Sequence, residues 1–180
     1  FDRDSWINAW PVVTVVVWYV FIALLGWMVY PLTRLVFSGL VDKGYPAARL
    51  VGLVLFALLA WWAGSLGWAV TRGTLIICMA VLAAGNLALF WWKKDEILAE
   101  VRGKGRYWLT VELVAAGFFL FFLLIRLGNP DLWHPYKGGE KPMDFSYFNA
   151  VIKSATFPPY DPWFSGGYIN YYYYGFVLAG

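Results

Sequence analysis

Residues 108–127 read WLTVELVAAGFFLFFLLIRL, and Gly128-Asn129-Pro130 follows directly. As a helix this stretch rises about 30 Å, the thickness of the hydrocarbon core of a bilayer. Its only charges are Glu112, one turn in, and Arg126, at the far end. Backbone groups left without partners in lipid cost several kcal/mol each, so an apolar stretch of this length must be helical there. The Gly-Asn-Pro sequence then stops it. Read as a membrane span, it sets the class of the chain: an all-α integral membrane helical bundle.

Composition agrees along all 180 residues. Hydrophobic residues make up 61% and charged residues 14%, against an ordinary charged share of about 25%. Aromatics reach 21%, with 12 Trp and 12 Tyr, which suits surface at the lipid–water boundary. The single Cys78 lies in an apolar run, so neither a disulfide framework nor metal-type spacing is present. A net charge of +3, with no basic stripe, gives no case for nucleic acid. No cofactor is named by any motif, and no cleavable signal peptide is recognisable. The chain begins at Phe1 and stops within an apolar run at Gly180, and is expected to be a piece of a longer protein, cut at both ends.

Working back from 108, the connector 93–106, KKDEILAEVRGKGR, has five basic and three acidic residues and reads as a solvated loop. Before it lie three more spans, at 10–30, 47–70 and 73–92. The second and third are joined by a hairpin around Thr71-Arg72-Gly73, and a mixed connection at 31–49 follows the first. Gly52, Ala60, Gly64, Gly67, Ala83, Ala84 and Gly85 are expected to let the second and third spans approach closely. The connections 31–49 and 93–106 carry three and five Lys/Arg. By the positive-inside rule they face the cytoplasm, which puts 129–170 on the non-cytoplasmic face of the cell membrane. Residues 1–107 thus form an N-terminal three-span region, and 108–180 hold a span, a long outer loop and the opening of a fifth span near Tyr171.

That loop is the one long polar segment, NPDLWHPYKGGEKPMDFSYFNAVIKSATFPPYDPWFSGGYINYYYY at 129–174. Loops carried on a rigid scaffold are where binding and catalysis usually sit. Pro142 suits a helix start, and over 143–155 Phe145, Phe148 and Ile152 share one side, flanked by Tyr147 and Val151. This predicts a short amphipathic helix lying flat at the interface. The prolines after it force extended chain, and Ser165-Gly166-Gly167 turns into the tyrosine run.

Glu140 and Asp144 are the candidate acids. Glu140 reads more simply as a solvated loop acid, while for Asp144 a helix N-terminal role and a catalytic one stand even. Lys141, Lys153 and Arg126 are candidate phosphate contacts, although Arg126 equally suits a snorkelling position. Asp161, between prolines, orders the loop or meets a ligand, and ordering is the simpler role. The tyrosines at 171–174 point all round a helix, so some can stack on a ligand and the rest form an interfacial belt. For Glu112, an intramembrane functional acid and an interfacial position are both open. His134 has no second His beside it, so no metal site is read.

Three phrases, GEKPMDF at 139–145, FPPYDPWFSGG at 157–167 and NYYYYG at 170–175, resemble the YYY family of multi-pass membrane proteins, over about residues 112–175. More distantly, the order of parts (span, acidic outer loop, surface helix, next span) resembles the GT-C superfamily of glycosyltransferases, which use lipid-phosphate sugar donors. Two features differ from better-known members: three spans precede the acidic loop, and the acids are spaced E-x-x-x-D. The resemblance implies inverting transfer from a lipid-linked sugar donor, with membrane lipid as the other partner. It also implies Asp144 and Glu140 as the acids, and Lys141, Arg126, Asp161, Trp163 and Tyr172 around the substrate. The alternative is a non-enzymatic subunit of a larger membrane complex, or a transporter, whose aromatic loop docks a partner.

Overall fold

The computed structural model describes residue 5 and residues 9–129, 139–170 and 172–180; His134 and the reading placed on it lie outside the described residues. Among them, four helices are long and apolar enough to cross a membrane: α1 (Pro11–Val36), α2 (Ala48–Ser65, preceded by a 3-10 turn at Tyr45–Ala47), α3 (Arg72–Trp92) and α5 (Gly105–Gly128). Three shorter helices lie among the described residues: α4 (Lys94–Gly103), α6 (Lys141–Lys153) and α7 (Tyr174–Ala179). No strand forms among the described residues; there is one isolated antiparallel bridge, Tyr160 to Tyr168. The all-α membrane bundle is thus observed, and the segment expected to open a fifth span is helical over Tyr174–Ala179.

Two compact units result, Phe1–Leu59 with Leu75–Lys93, and Ala60–Thr74 with Lys94–Gly180. In the first, Leu25 and Val29 of α1 and Leu82 of α3 form a core ringed by Met28, Val51, Phe56 and Met79. Glycines let α1 and α2 close on each other. A Cβ on Gly26 would come within 2.7 Å of Arg49 Cγ, and one on Gly52 within 2.8 Å of Leu25 Cγ. Of the glycines expected to bring the second and third spans together, Gly52 faces the first span and Gly64 the outer segment, while Gly67 and Gly85 have open space beside them. Size permits close approach, but the rotation of each helix decides what comes near.

Helix α1 runs past its expected end, straight through Pro31. A proline in a helix lacks a donor and its ring crowds the carbonyl four residues back. The Leu32 amide next to this break donates to Oδ1 of Asn86 on α3 at 3.2 Å, and Asn86 Nδ2 donates to the Leu82 carbonyl at 2.9 Å. Thr33 Oγ1 donates to the Tyr30 carbonyl at 2.9 Å. Neighbouring helices and Thr side chains that re-satisfy the backbone are what make proline tolerable inside a span.

In the second unit, α2 ends five residues before its expected boundary. Gly67 takes a left-handed φ of +85°, and the amides of Gly67 and Trp68 donate to the carbonyls of Gly64 (3.2 Å) and Ala63 (3.0 Å). This pair of bonds is a Schellman cap. The connector at 93–106, expected as a loop, holds α4 instead. Asp95 and Glu96 lie in its first turn and Arg102 in its last, matching the helix dipole, and Ile97 is buried.

Replacing Asn86 by Leu removes the acceptor of the Leu32 amide beside the Pro31 break. Thermal unfolding in detergent should show a loss of about 1 kcal/mol, the scale of interhelical polar contacts in membrane proteins. A Pro31→Ala background, in which the break is gone, should absorb most of that loss. Equal losses in both backgrounds would disconnect Asn86 from the proline.

Candidate functional site

Helix α6 starts where Pro142 costs no backbone bond, in the first turn. Asp144 donates its amide to the Glu140 carbonyl at 2.8 Å. Lys141, Asp144, Phe145 and Phe148, at spacings of three, four and seven, occupy one face of the helix. With Phe122, Ile125, Arg126 and Asn129 at the end of α5, and Phe176 of α7, they line an open groove of about 510 Å³. Its walls are mostly apolar, with four Phe among nine lining residues, and its charges are two cations and one carboxylate. Arg126 also closes α5: one guanidinium N–H donates to the Asn129 carbonyl at 2.7 Å.

Of the residues singled out from sequence, Asp144, Lys141 and Arg126 are thus brought together. Glu140 is the N-cap residue of α6, exposed and outside the groove lining. Asp161 has a local structural role: its Oδ1 accepts the Trp163 amide at 2.8 Å, and its own amide donates to the Gly167 carbonyl at 2.9 Å. Trp163 donates its indole N–H to Ser146 Oγ at 2.7 Å, and Ser146 lies on α6 away from the groove face. Tyr172 is exposed and also outside the groove. Among the described residues, no three His, Cys, Asp or Glu side chains gather in a metal-binding group.

Sequence reading missed the apolar wall. Periodicity alone puts Phe145 and Phe148 on the apolar stripe of an interfacial helix, whereas Phe122, Ile125 and Phe176 come from other helices. It also missed how the segment after α6 is held. The Val70 amide donates to the Ala155 carbonyl at 2.6 Å and the Phe157 amide to the Gly64 carbonyl at 3.2 Å. The Phe157 ring fills the space that a side chain at Gly64 would need, 2.5 Å from the Cβ position. Trp61 donates its indole N–H to the Tyr173 hydroxyl at 2.9 Å and meets the Tyr174 ring edge-on. Between these ties, residues 159–169 fold back as a small hairpin. The Ile169 amide donates to the Pro159 carbonyl at 2.9 Å, and the rings of Tyr160 and Tyr168 stack 4.8 Å apart. The hydrogen bond to Tyr160 pushes the Tyr168 phenol above its ordinary value.

Membrane-length helices carrying a structured polar segment tied back to a span end define a multi-pass integral membrane protein. A family model described as an uncharacterized membrane protein (DUF2298) matches residues 55–180, and the chain belongs to that family. No curated protein and no solved structure matches it.

The socket at Gly64 is open to test. Alanine in place of a helical glycine gains about 1 kcal/mol of propensity, but a side chain against the buried Phe157 ring costs about 1–3 kcal/mol of overpacking. Gly64→Ala should therefore lower the melting temperature and speed proteolysis within 155–170. Phe157→Leu in the same chain should restore part of the loss, and an unaltered single variant would remove the socket.

Proposed function

We propose that the chain is part of a membrane-embedded glycosyltransferase that takes sugar from a lipid-phosphate donor at the non-cytoplasmic face of the cell membrane, with inversion. The observation that carries the reading is the groove that gathers Arg126, Lys141 and Asp144 against an aromatic wall. Sequence supports it through the YYY-type phrases and the GT-C-like order of span, acidic outer loop, surface helix and next span. The excess of Lys/Arg in 31–49 and 93–106 supports the side.

The chemistry asks for three things. An acceptor hydroxyl oxygen bonds to the anomeric carbon on the face opposite the phosphate, the carbon–oxygen bond to phosphate breaks, and lipid phosphate leaves with the electron pair. Asp144 takes the acceptor proton as general base, a task typically worth about 10²–10⁴-fold in rate. Lys141 and Arg126 stabilise the negative charge on the departing phosphate. Phe122, Ile125, Phe145 and Phe148 face the first isoprene units of the carrier. In this reading Glu140, Asp161, Trp163 and Tyr172 lie outside the reacting centre, with Glu140 at most tuning the charge beside α6.

The test is sugar transfer from polyprenyl-phosphate donors by the full-length protein in lipid nanodiscs. Asp144→Asn should lower kcat by about 100-fold or more at unchanged donor binding, and Lys141→Ala should weaken donor binding. Glu140→Gln should stay within about threefold of wild type, the scale expected for an exposed charge outside the groove. Full activity in the Asp144→Asn variant ends the assignment.

A further inference from the structure

We infer that the hairpin at 159–169 is an interfacial anchor that rests in the headgroup layer of the bilayer the spans cross. It stands independently of any chemistry in the groove. Three observations support it: where the hairpin is fixed, what it exposes and how its backbone is satisfied.

Its height is set by the turn between α2 and α3. Residues 155 and 157 pair with Val70 and Gly64 there, so the hairpin leaves the protein at the level where those two helices end. That turn already presents Leu66 and Trp68 outward, 79% and 62% exposed. The lipid-facing surface of the spans therefore continues onto the hairpin.

What the hairpin offers suits that layer. Tyr160, Trp163, Phe164 and Tyr168 are 54–68% exposed. The only charge from 158 to 175 is Asp161, and one of its carboxylate oxygens is taken by the Trp163 amide. Tyr and Trp, apolar bodies with a polar tip, are the residues that collect at membrane interfaces. The three prolines at 158, 159 and 162 have no amide to lose. The amides of Asp161, Trp163, Gly167 and Ile169 donate to the Gly167 carbonyl, Asp161 Oδ1, the Phe164 carbonyl and the Pro159 carbonyl. These are four of the nine amides in 159–169, and their pairing lowers the cost of placing the chain in a water-poor layer, where unbonded backbone groups are penalised.

The test uses fluorophores on single cysteines in the full-length protein, with Cys78→Ser as background, reconstituted in nanodiscs. Labels go at Phe164→Cys and, as a second site in case the first disturbs the turn, at Tyr160→Cys. Asp95→Cys serves as an aqueous reference and Phe118→Cys, on α5, as a lipid-immersed one. At 164 and 160, a nitroxide on the lipid headgroup should quench about twofold more than one deep in the acyl chains, and aqueous iodide should quench less than at 95. Iodide quenching equal to that at 95 overturns the anchor and leaves a solvent-facing surface. Shielding from both iodide and headgroup nitroxide also overturns it, because another protein then covers the hairpin.

Discussion

The carbonyl of Gly64 and the amide of Val70 are backbone groups at the end of one span and just before the next, and the segment after α6 completes both. Groups at a span end near lipid carry a penalty unless bonded, so this pairing serves the membrane helices as much as the chain that docks on them. It requires glycine at 64, because the Phe157 ring lies where a side chain would begin. Further on, the bond from Trp61 to Tyr173 ties the same chain to α2 a second time. A stretch rich in proline and glycine is thereby fixed at 155–157 and again at 173, and the hairpin between closes on its own backbone. Over 155–170 the polar segment thus behaves as a built part rather than a slack connection.

The spans were legible because lipid removes the alternatives to helix, and hydropathy reports little else. Their ends depended on single residues. Pro31 reads as a stop only if the backbone beside it goes unsupported, and the support, Asn86 Oδ1 accepting the Leu32 amide, lies 54 residues on in sequence. Gly67 was a readable signal: a glycine closing an apolar run is the usual left-handed cap. The connector at 93–106 hid a helix because its charges suggest solvent. Yet acids first and a base last, around Ile97 and Val101 four apart, is the dipole-matched pattern of a surface helix.

At the site, local periodicity sufficed to place Phe145 and Phe148 on one side of α6, but it did not set Lys141 and Asp144 beside them. It could not say what that face meets. The stripe was turned toward the bilayer because nothing local announces that the end of α5 and the start of α7 supply Phe122, Ile125 and Phe176. Asp161 was the reverse case. An Asp two residues before the amide it accepts is a local turn signal, and the ordering role followed from sequence alone. The partnership of Trp163 with Ser146 joins residues 17 apart in sequence and has no local signature.

The charges in the groove support a ligand reading more than a stabilising one. Exposed ion pairs contribute about 0–1 kcal/mol, so an open groove is a poor place to gain stability from Lys141, Arg126 and Asp144. Placed against an aromatic wall, the same groups suit a molecule that is anionic at one end and apolar along its length. Arg126 has to serve both ends of the argument. One of its five donors caps α5 through the Asn129 carbonyl, and the planar guanidinium leaves the others in a fixed fork, the geometry that suits phosphate oxygens. Lysine there would keep the charge but lose the fork, so the shape of this cation, beyond its sign, is what would separate phosphate recognition from simple attraction to the membrane surface.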